Sequence, residues 1–282
     1  MKKLVLYIVK RFLTSKPLIG WGILFTFFWI FVGAYLESSS LNSVPTSIFK
    51  EAYYTYTTSW FMFAIIYSLS GLATTVSYTI TYQTGSLPFL FKFGKLTPRK
   101  YLASVYVGME IVSLVIGLLM TAFTTILFST NGKGVFVYPA NIPITILAIL
   151  LAGFFMTSLA FLLDIVVIKY LGLKNQNFVS FIPLILGFIF YFLYIYSTFK
   201  SAIPDYLSPF NALMLIAGIG FYGKALPVSM GQFTAGMETS VPSVSLTYLV
   251  ASALIWGIVL SVIDTVLIKK ITLRNINEGK IF

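Results

Sequence analysis

The sequence predicts an all-α integral membrane protein with six spanning helices. Of its 282 residues, 58% are hydrophobic and 10% charged, too little polar surface to clothe a soluble domain of that length. The apolar residues gather in runs of about twenty, enough to cross a hydrocarbon core of roughly 30 Å. The basic residues fall mostly on one side of those runs.

Residues 2–16, KKLVLYIVKRFLTSK, place Leu4, Ile8 and Phe12 at steps of four, with Val5 beside them. The lysines and Arg11 fall largely elsewhere around the helix. That pattern suits an amphipathic helix in the headgroup layer, or a cytoplasmic extension of the first span. No small-residue cleavage site follows, so the segment reads as mature sequence. The spans are then about 17–36, 59–82, 101–129, 143–168, 178–198 and 246–268. Residues 211–223, NALMLIAGIGFYG, are apolar but too short to cross. They read as part of a short outer re-entrant or interfacial hairpin at about 203–224. The whole of 1–282 forms one transmembrane domain.

With the N-terminus inside, the inner segments hold five, four, two and four basic residues in turn, fifteen of nineteen. The outer loops hold Lys50, Lys133, Lys200 and Lys224, balanced by Glu37, Glu51, Asp205 and Glu238. The positive-inside rule places both termini in the cytoplasm of a multi-pass protein of the cell membrane. The formal charge of +11 is thus an orientation signal and a contact with lipid headgroups, not a nucleic-acid footprint.

The chain has no cysteine and no histidine, which excludes disulfides, thiolate and imidazole metal sites, and histidine bases. GFYGKA at 220–225 and NGKGVF at 131–136 lack phosphate-loop spacing. No G-x-S-x-G or H-E-x-x-H occurs. An enzyme acting alone is not expected, nor a catalytic residue, a metal or a cofactor on this chain.

Three carboxylates, Glu110, Asp164 and Asp264, fall within spans. Such groups often mark ion or proton pathways. Both aspartates lie near cytoplasmic span ends, where snorkelling and lysine partners also accommodate them. DIVVIKYLGLKNQN (164–177) and DTVLIKKITLRNIN (264–277) share seven identities. Similar helix ends account for that, or else each aspartate meets a lysine on a neighbouring helix.

The connection between the second and third spans reads TGSLPFLFKFGKLTPRKYL (84–102). Pro88 suits a first helical turn, Gly94 a left-handed terminus, and Thr97-Pro98 a new cap and first turn. The sequence therefore specifies helix, break, helix on the cytoplasmic side. The first helix, about 86–94, carries Leu87, Leu90, Phe91, Lys92 and Phe93. Its aromatic face lies on lipid or docks into a groove on a soluble partner.

An amphipathic N-terminal helix, six spans and a G-[ST]-L-x-x-L…[ILV]-[ST] element between spans two and three together resemble the permease subunits of ABC-2 type transporters. Here that element is Gly85-Ser86-Leu87, Leu90 and Leu96-Thr97. IPDYLSPFNALM (203–214) is similar to the family's P-x-x-L…N-P-L element before its outer re-entrant helices. The chain departs from the pattern at Tyr82-Gln83-Thr84, at Pro88, and at Asn211-Ala212-Leu213.

The resemblance implies an exporter half whose coupling helix docks on a separate nucleotide-binding ATPase subunit that carries Mg-ATP. Gly85, Ser86, Leu87, Leu90, Phe91, Lys92, Phe93, Leu96, Thr97 and Arg99 would make that contact. It also implies a second permease subunit, identical or a sister, and a pathway lined by spans two and five. Tyr67, Ser70, Thr74, Tyr78, Phe190, Tyr194 and Tyr196 could line it for an amphipathic or hydrophobic substrate such as a drug, lipid, peptide or glycan. Two alternatives stand beside this. One is a proton- or ion-coupled transporter using Glu110, Asp164 and Asp264; the other is a non-transporting membrane assembly.

Overall fold

The computed structural model describes residues 2–83, 91–93, 96–166, 176–197, 200–230 and 242–268. Six helical segments among them are long and apolar enough to cross a membrane: Leu18–Ser43, Thr46–Ser77, Pro98–Asn131, Ile142–Ile165, Phe178–Tyr196 and Leu246–Leu267. Among the described residues the β-structure is a single isolated bridge, Pro227 to Ser243.

In chain order, α1 is Lys2–Leu13. The first span combines π-helical turns at Leu18–Leu24 and Val32–Leu36 around α2, Phe25–Phe31, and closes in a 3-10 stretch at Glu37–Ser43. Then follow α3 (Thr46–Gln83), α4 (Pro98–Asn131), α5 (Ile142–Val166), α6 (Gln176–Ser180), α7 (Ile182–Tyr196), α8 (Ile203–Leu207), α9 (Pro209–Tyr222) and α10 (Leu246–Leu267).

The helix α3 is the axis of the bundle, with every residue from Phe61 to Ser77 buried. The first span, α4, α5, α7 and α9 pack around it, and α10 lies outside against α5 and α9. The first span and α3 meet at a pair of glycines: a Cβ on Gly71 would lie 2.7 Å from the Gly22 Cα. Such crossings of small residues let helix backbones approach where lipid gives no hydrophobic drive. On α1, Ile8 and Phe12 are buried, and Ile8 sits where a side chain on Gly108 of α4 would otherwise be.

The helix α3 begins at Thr46, well before the expected start near residue 59. Its first turns are rich in polar side chains, and their hydroxyls hold the end of the bundle opposite α1. Tyr53 Oη donates to the Phe128 carbonyl at 2.7 Å and Tyr56 Oη to the Gly33 carbonyl at 2.8 Å. Tyr54 donates to the Tyr138 carbonyl. Lys50 and Glu51 are therefore helical residues, not loop residues. Glu51 accepts from Lys224 Nζ at 2.8 Å, but both side chains are more than half exposed. Lys224→Ala is expected to leave the denaturant midpoint in micelles nearly unchanged, because solvent screens an exposed pair.

The expected fifth span is divided. A turn at Phe181 separates α6 from α7, whose first turn contains Pro183, and proline supplies no N–H to continue a helix across that point. The helix α9 is short, about 21 Å by helical rise, yet every residue from Phe210 to Phe221 is buried. Ser208 Oγ caps it by accepting from Asn211 N at 3.3 Å. Gly223 ends it with a left-handed φ of 81°, in a place where a Cβ would lie 2.6 Å from Ala140 Cβ. Both conditions call for glycine.

Candidate functional site

Between α3 and α4 the described part of the connection is residues 91–93, which are helical, and Leu96-Thr97. Phe91 is half-buried, its ring 6.0 Å from that of Tyr101. Phe93 is 75% exposed, with Lys92 Nζ 5.4 Å from its ring centroid. Leu96 packs against the core. Thr97 caps α4 by accepting from Lys100 N at 3.3 Å, with Pro98 in the first turn. Arg99 is exposed. One aromatic ring thus anchors the turn while its neighbours Lys92 and Phe93 project outward. Gly85, Ser86, Leu87, Leu90 and Gly94 lie outside the described residues.

The residues named for a pathway divide into two groups. Tyr67, Ser70 and Thr74 on α3 are buried within the bundle. The Tyr67 ring stacks on Phe63 at 5.2 Å and on Phe25 at 5.3 Å. Ser70 Oγ occupies the notch left by Gly187, 2.6 Å from where a Cβ would lie. Thr74 Oγ1 donates to the Ser70 carbonyl at 3.2 Å. On α7, Tyr194 is buried and donates to the Pro227 carbonyl at 2.9 Å, while Phe190 stacks on Phe210 at 5.2 Å. Tyr196 is 75% exposed. The side chain of Tyr78 lies outside the described residues. The helix α7 covers one side of α3, so Tyr67 and Ser70 meet protein, not open space.

A second constellation lies at the junction of α4, α5 and α10. Tyr106 Oη donates to Asp264 Oδ2 at 2.7 Å and sits 2.8 Å from Ser158 Oγ. Asp264 is fully buried, and its Oδ1 has no hydrogen-bond partner among the described residues. One turn along α4, both Glu110 carboxylate oxygens and Ser113 Oγ are likewise buried and unpartnered. These two side chains flank Gly153 of α5, where a Cβ would come 2.3 Å from Ser113 Oγ and 3.3 Å from Glu110 Oε2. Tyr106, Glu110 and Ser113 recur at helical steps on one face of α4, so the packing of that face on α5 gathers them. Asp164 is buried at the α1 end of α5, beside Ser77 and Tyr101.

The structure thus joins Asp264 to Tyr106, sets Glu110 one turn along α4 from that tyrosine, and leaves Asp164 in a different place. Among the described residues the partner of Asp264 is that tyrosine rather than a lysine; Lys269 lies outside them. Tyr106 and Ser158 escaped the sequence reading, although Tyr106 stands four residues before Glu110 on the same face. Among the described residues no three acidic side chains converge as metal ligands.

The class that the fold defines is a multi-pass helical membrane protein. No known protein family matches the chain, and no curated protein matches it either.

Proposed function

We propose that the chain is the membrane-spanning permease subunit of an ATP-driven exporter of the ABC-2 type. The observation that carries this is the turn at 91–93: Phe91 packed on Tyr101 holds Lys92 and exposed Phe93 outward beside the start of α4. An aromatic and basic knob between two spans suits docking into a groove of a soluble partner. That partner would be a separate ATPase subunit binding Mg-ATP, placed on the cytoplasmic side by the lysine and arginine distribution. On this reading, α8 and α9 are the outer re-entrant hairpin. Trp256 donating to the Leu207 carbonyl at 3.0 Å and Phe155 meeting Phe210 at 5.5 Å support it, because both partners lie well along their spans.

Two permeases would pair through exposed apolar faces such as Ile185, Ile189, Phe192 and Tyr196 on α7. The rings of Tyr67 and Phe188 are 6.1 Å apart. Separation of α7 from α3 would uncover Tyr67, Ser70 and Thr74 to an amphipathic or hydrophobic substrate. The test is co-purification with the ATPase encoded beside this chain. Phe93→Asp is expected to abolish that association while leaving the thermal midpoint nearly unchanged, since the side chain is exposed. Retention of the ATPase by the folded variant would sink the assignment.

The unpartnered carboxylate of Glu110 favours a second reading, a proton- or ion-coupled transporter. Glu110→Gln would then abolish gradient-driven substrate movement in proteoliposomes. Undiminished transport by that variant removes this reading.

A further inference from the structure

Asp205 and Asn211 form a buried pair at the corner between α8 and α9. Asn211 Nδ2 donates to Asp205 Oδ1 at 2.9 Å. Asp205 is 0% exposed and Asn211 3%. The other oxygen of each group, Asp205 Oδ2 and Asn211 Oδ1, is buried without a hydrogen-bond partner among the described residues. Both orphaned atoms are acceptors when the carboxyl is ionised, so neither can serve the other. Unsatisfied buried acceptors are costly, and a buried uncompensated charge more so.

A carboxylic acid and a primary amide can close a ring of two antiparallel hydrogen bonds. One of the two is already present here. A proton on Asp205 Oδ2 would supply the donor for the second, directed at Asn211 Oδ1, and would satisfy both orphaned oxygens at once. We infer that Asp205 is a proton-binding site, and that its protonation clasps α8 to the start of α9. The proton comes from solvent, and the new bonds are Oδ2–H and its hydrogen bond to the amide oxygen.

The surroundings offer the ionised carboxyl little. Neither α9 nor α7 carries a charged residue, and the one on α10 is Asp264, near its other end. The titratable groups nearby are Tyr194 on α7, donating to the Pro227 carbonyl, and Tyr206 on α8, accepting from Ser245 N. Tyr248 on α10 packs against Tyr206 at 5.5 Å. Lys200 is exposed, and Lys224 is paired with Glu51 beyond the far end of α9. The N-terminus of α9 favours an anion in principle, but Ser208 already takes the amides of Asn211 and Ala212. Burial pushes the Asp205 carboxyl up from 3.8 to about 6, against the opposing effect of the Asn211 hydrogen bond.

The corner is otherwise tied to α10. Ser252 Oγ donates to the Tyr206 carbonyl at 2.5 Å and Trp256 Nε1 to the Leu207 carbonyl at 3.0 Å. Protonation would therefore fix α8, α9 and α10 as one unit, and ionisation would loosen the α8–α9 corner. A carboxyl whose folded value is raised contributes stability that is complete below the unfolded value of 3.8 and is lost as pH rises through about 6.

The experiment compares the thermal midpoints of the purified full chain and Asp205→Asn at about pH 3.5 and about pH 7.5. The amide of the variant reproduces the donor of the protonated acid. Asp205→Asn is expected to match the wild type in acid and to exceed it by roughly 2–6 °C at the higher pH. A variant no more stable than wild type at the higher pH overturns the proposal. Infrared pH-difference spectra of the wild type and Asn211→Leu give a second readout that does not need Asp205→Asn to fold. The wild type should show a protonated-carboxyl band that disappears as pH rises through about 6, and Asn211→Leu should displace it. A wild type without such a band, or a band indifferent to Asn211→Leu, equally overturns it.

Discussion

Gly71→Ala is expected to lower the thermal midpoint of the purified protein by roughly 4–10 °C, while Gly20→Ala leaves it unchanged or slightly raised. Gly71 lies in the contact between the first span and α3, Gly20 is exposed on the first span outside it, and the two substitutions add the same atom. At Gly71 the new Cβ would lie 2.7 Å from the Gly22 Cα and 2.9 Å from its nitrogen. Those are backbone atoms, so no side-chain rotation relieves the clash. The first span must shift away from the axis of the bundle and lose packing along its length. Overpacking of this kind costs about 2–3 kcal/mol. At Gly20 nothing lies within 4 Å of the added atom. Alanine there contributes only its better helix propensity. Equal midpoints for the two variants would show that the glycine crossing does not hold the first span in place.

Tyr106→Phe is expected to destabilise the chain by about 2–4 kcal/mol, measured by reversible unfolding in mixed micelles. The ring would keep its place against Phe161 and Phe154, at 5.9 and 5.5 Å, so the lost hydroxyl dominates the effect. Its removal leaves Asp264 with both carboxylate oxygens unpartnered, because Oδ1 is already an orphan among the described residues. Ser158 loses a neighbour as well, though its hydroxyl still donates to the Phe154 carbonyl at 3.0 Å. Adding Asp264→Leu should recover part of the loss, with a coupling energy of about 0.5–3 kcal/mol. Simple additivity of the two changes would mean that Tyr106 does not answer for the buried carboxyl. The same pair also bears on the coupled-transporter reading, since Glu110 lies one turn from Tyr106 on α4.

The spanning segments were legible because they rest on one strong signal, long runs without charge. That signal misplaced the start of α3. Thr46 to Thr58 contain Lys50, Glu51, three tyrosines and four threonines, which read as an outer loop. Three of those tyrosine hydroxyls instead bond carbonyls at the ends of neighbouring helices. A hydroxyl that finds a buried acceptor no longer counts against helix formation, and no composition average can register the acceptor. The short run at 211–223 lies in a helix of 14 residues, shorter than the six that are long enough to cross. Its burial among five other helices is not legible, since apolar character is the same against lipid and against protein.

The candidate sites divide in a similar way. Phe91, Phe93 and the Thr97-Pro98 cap were visible as local chemistry, and the structure places the cap as its residues dictate. Glu110 and Asp264 were visible as charges in apolar runs. The bond between Asp264 and Tyr106 is not, because it joins residues 158 positions apart. In the sequence Asp205 is one of four loop carboxylates that balance four lysines. Only the packing of α8 on α9 shows it buried beside Asn211, with one hydrogen bond made and one wanting a proton.

The sequence by itself determined a membrane protein of six spans, the caps of its helices and the uneven distribution of its basic residues, because each depends on neighbours in the chain or on transfer from water to lipid. The tertiary structure decided which apolar faces meet protein, where two glycines let helices touch, and which polar side chains share a buried partner. Those depend on distances between residues far apart in sequence, and in a bilayer that shields neither charge nor hydroxyl, such distances set the chemistry.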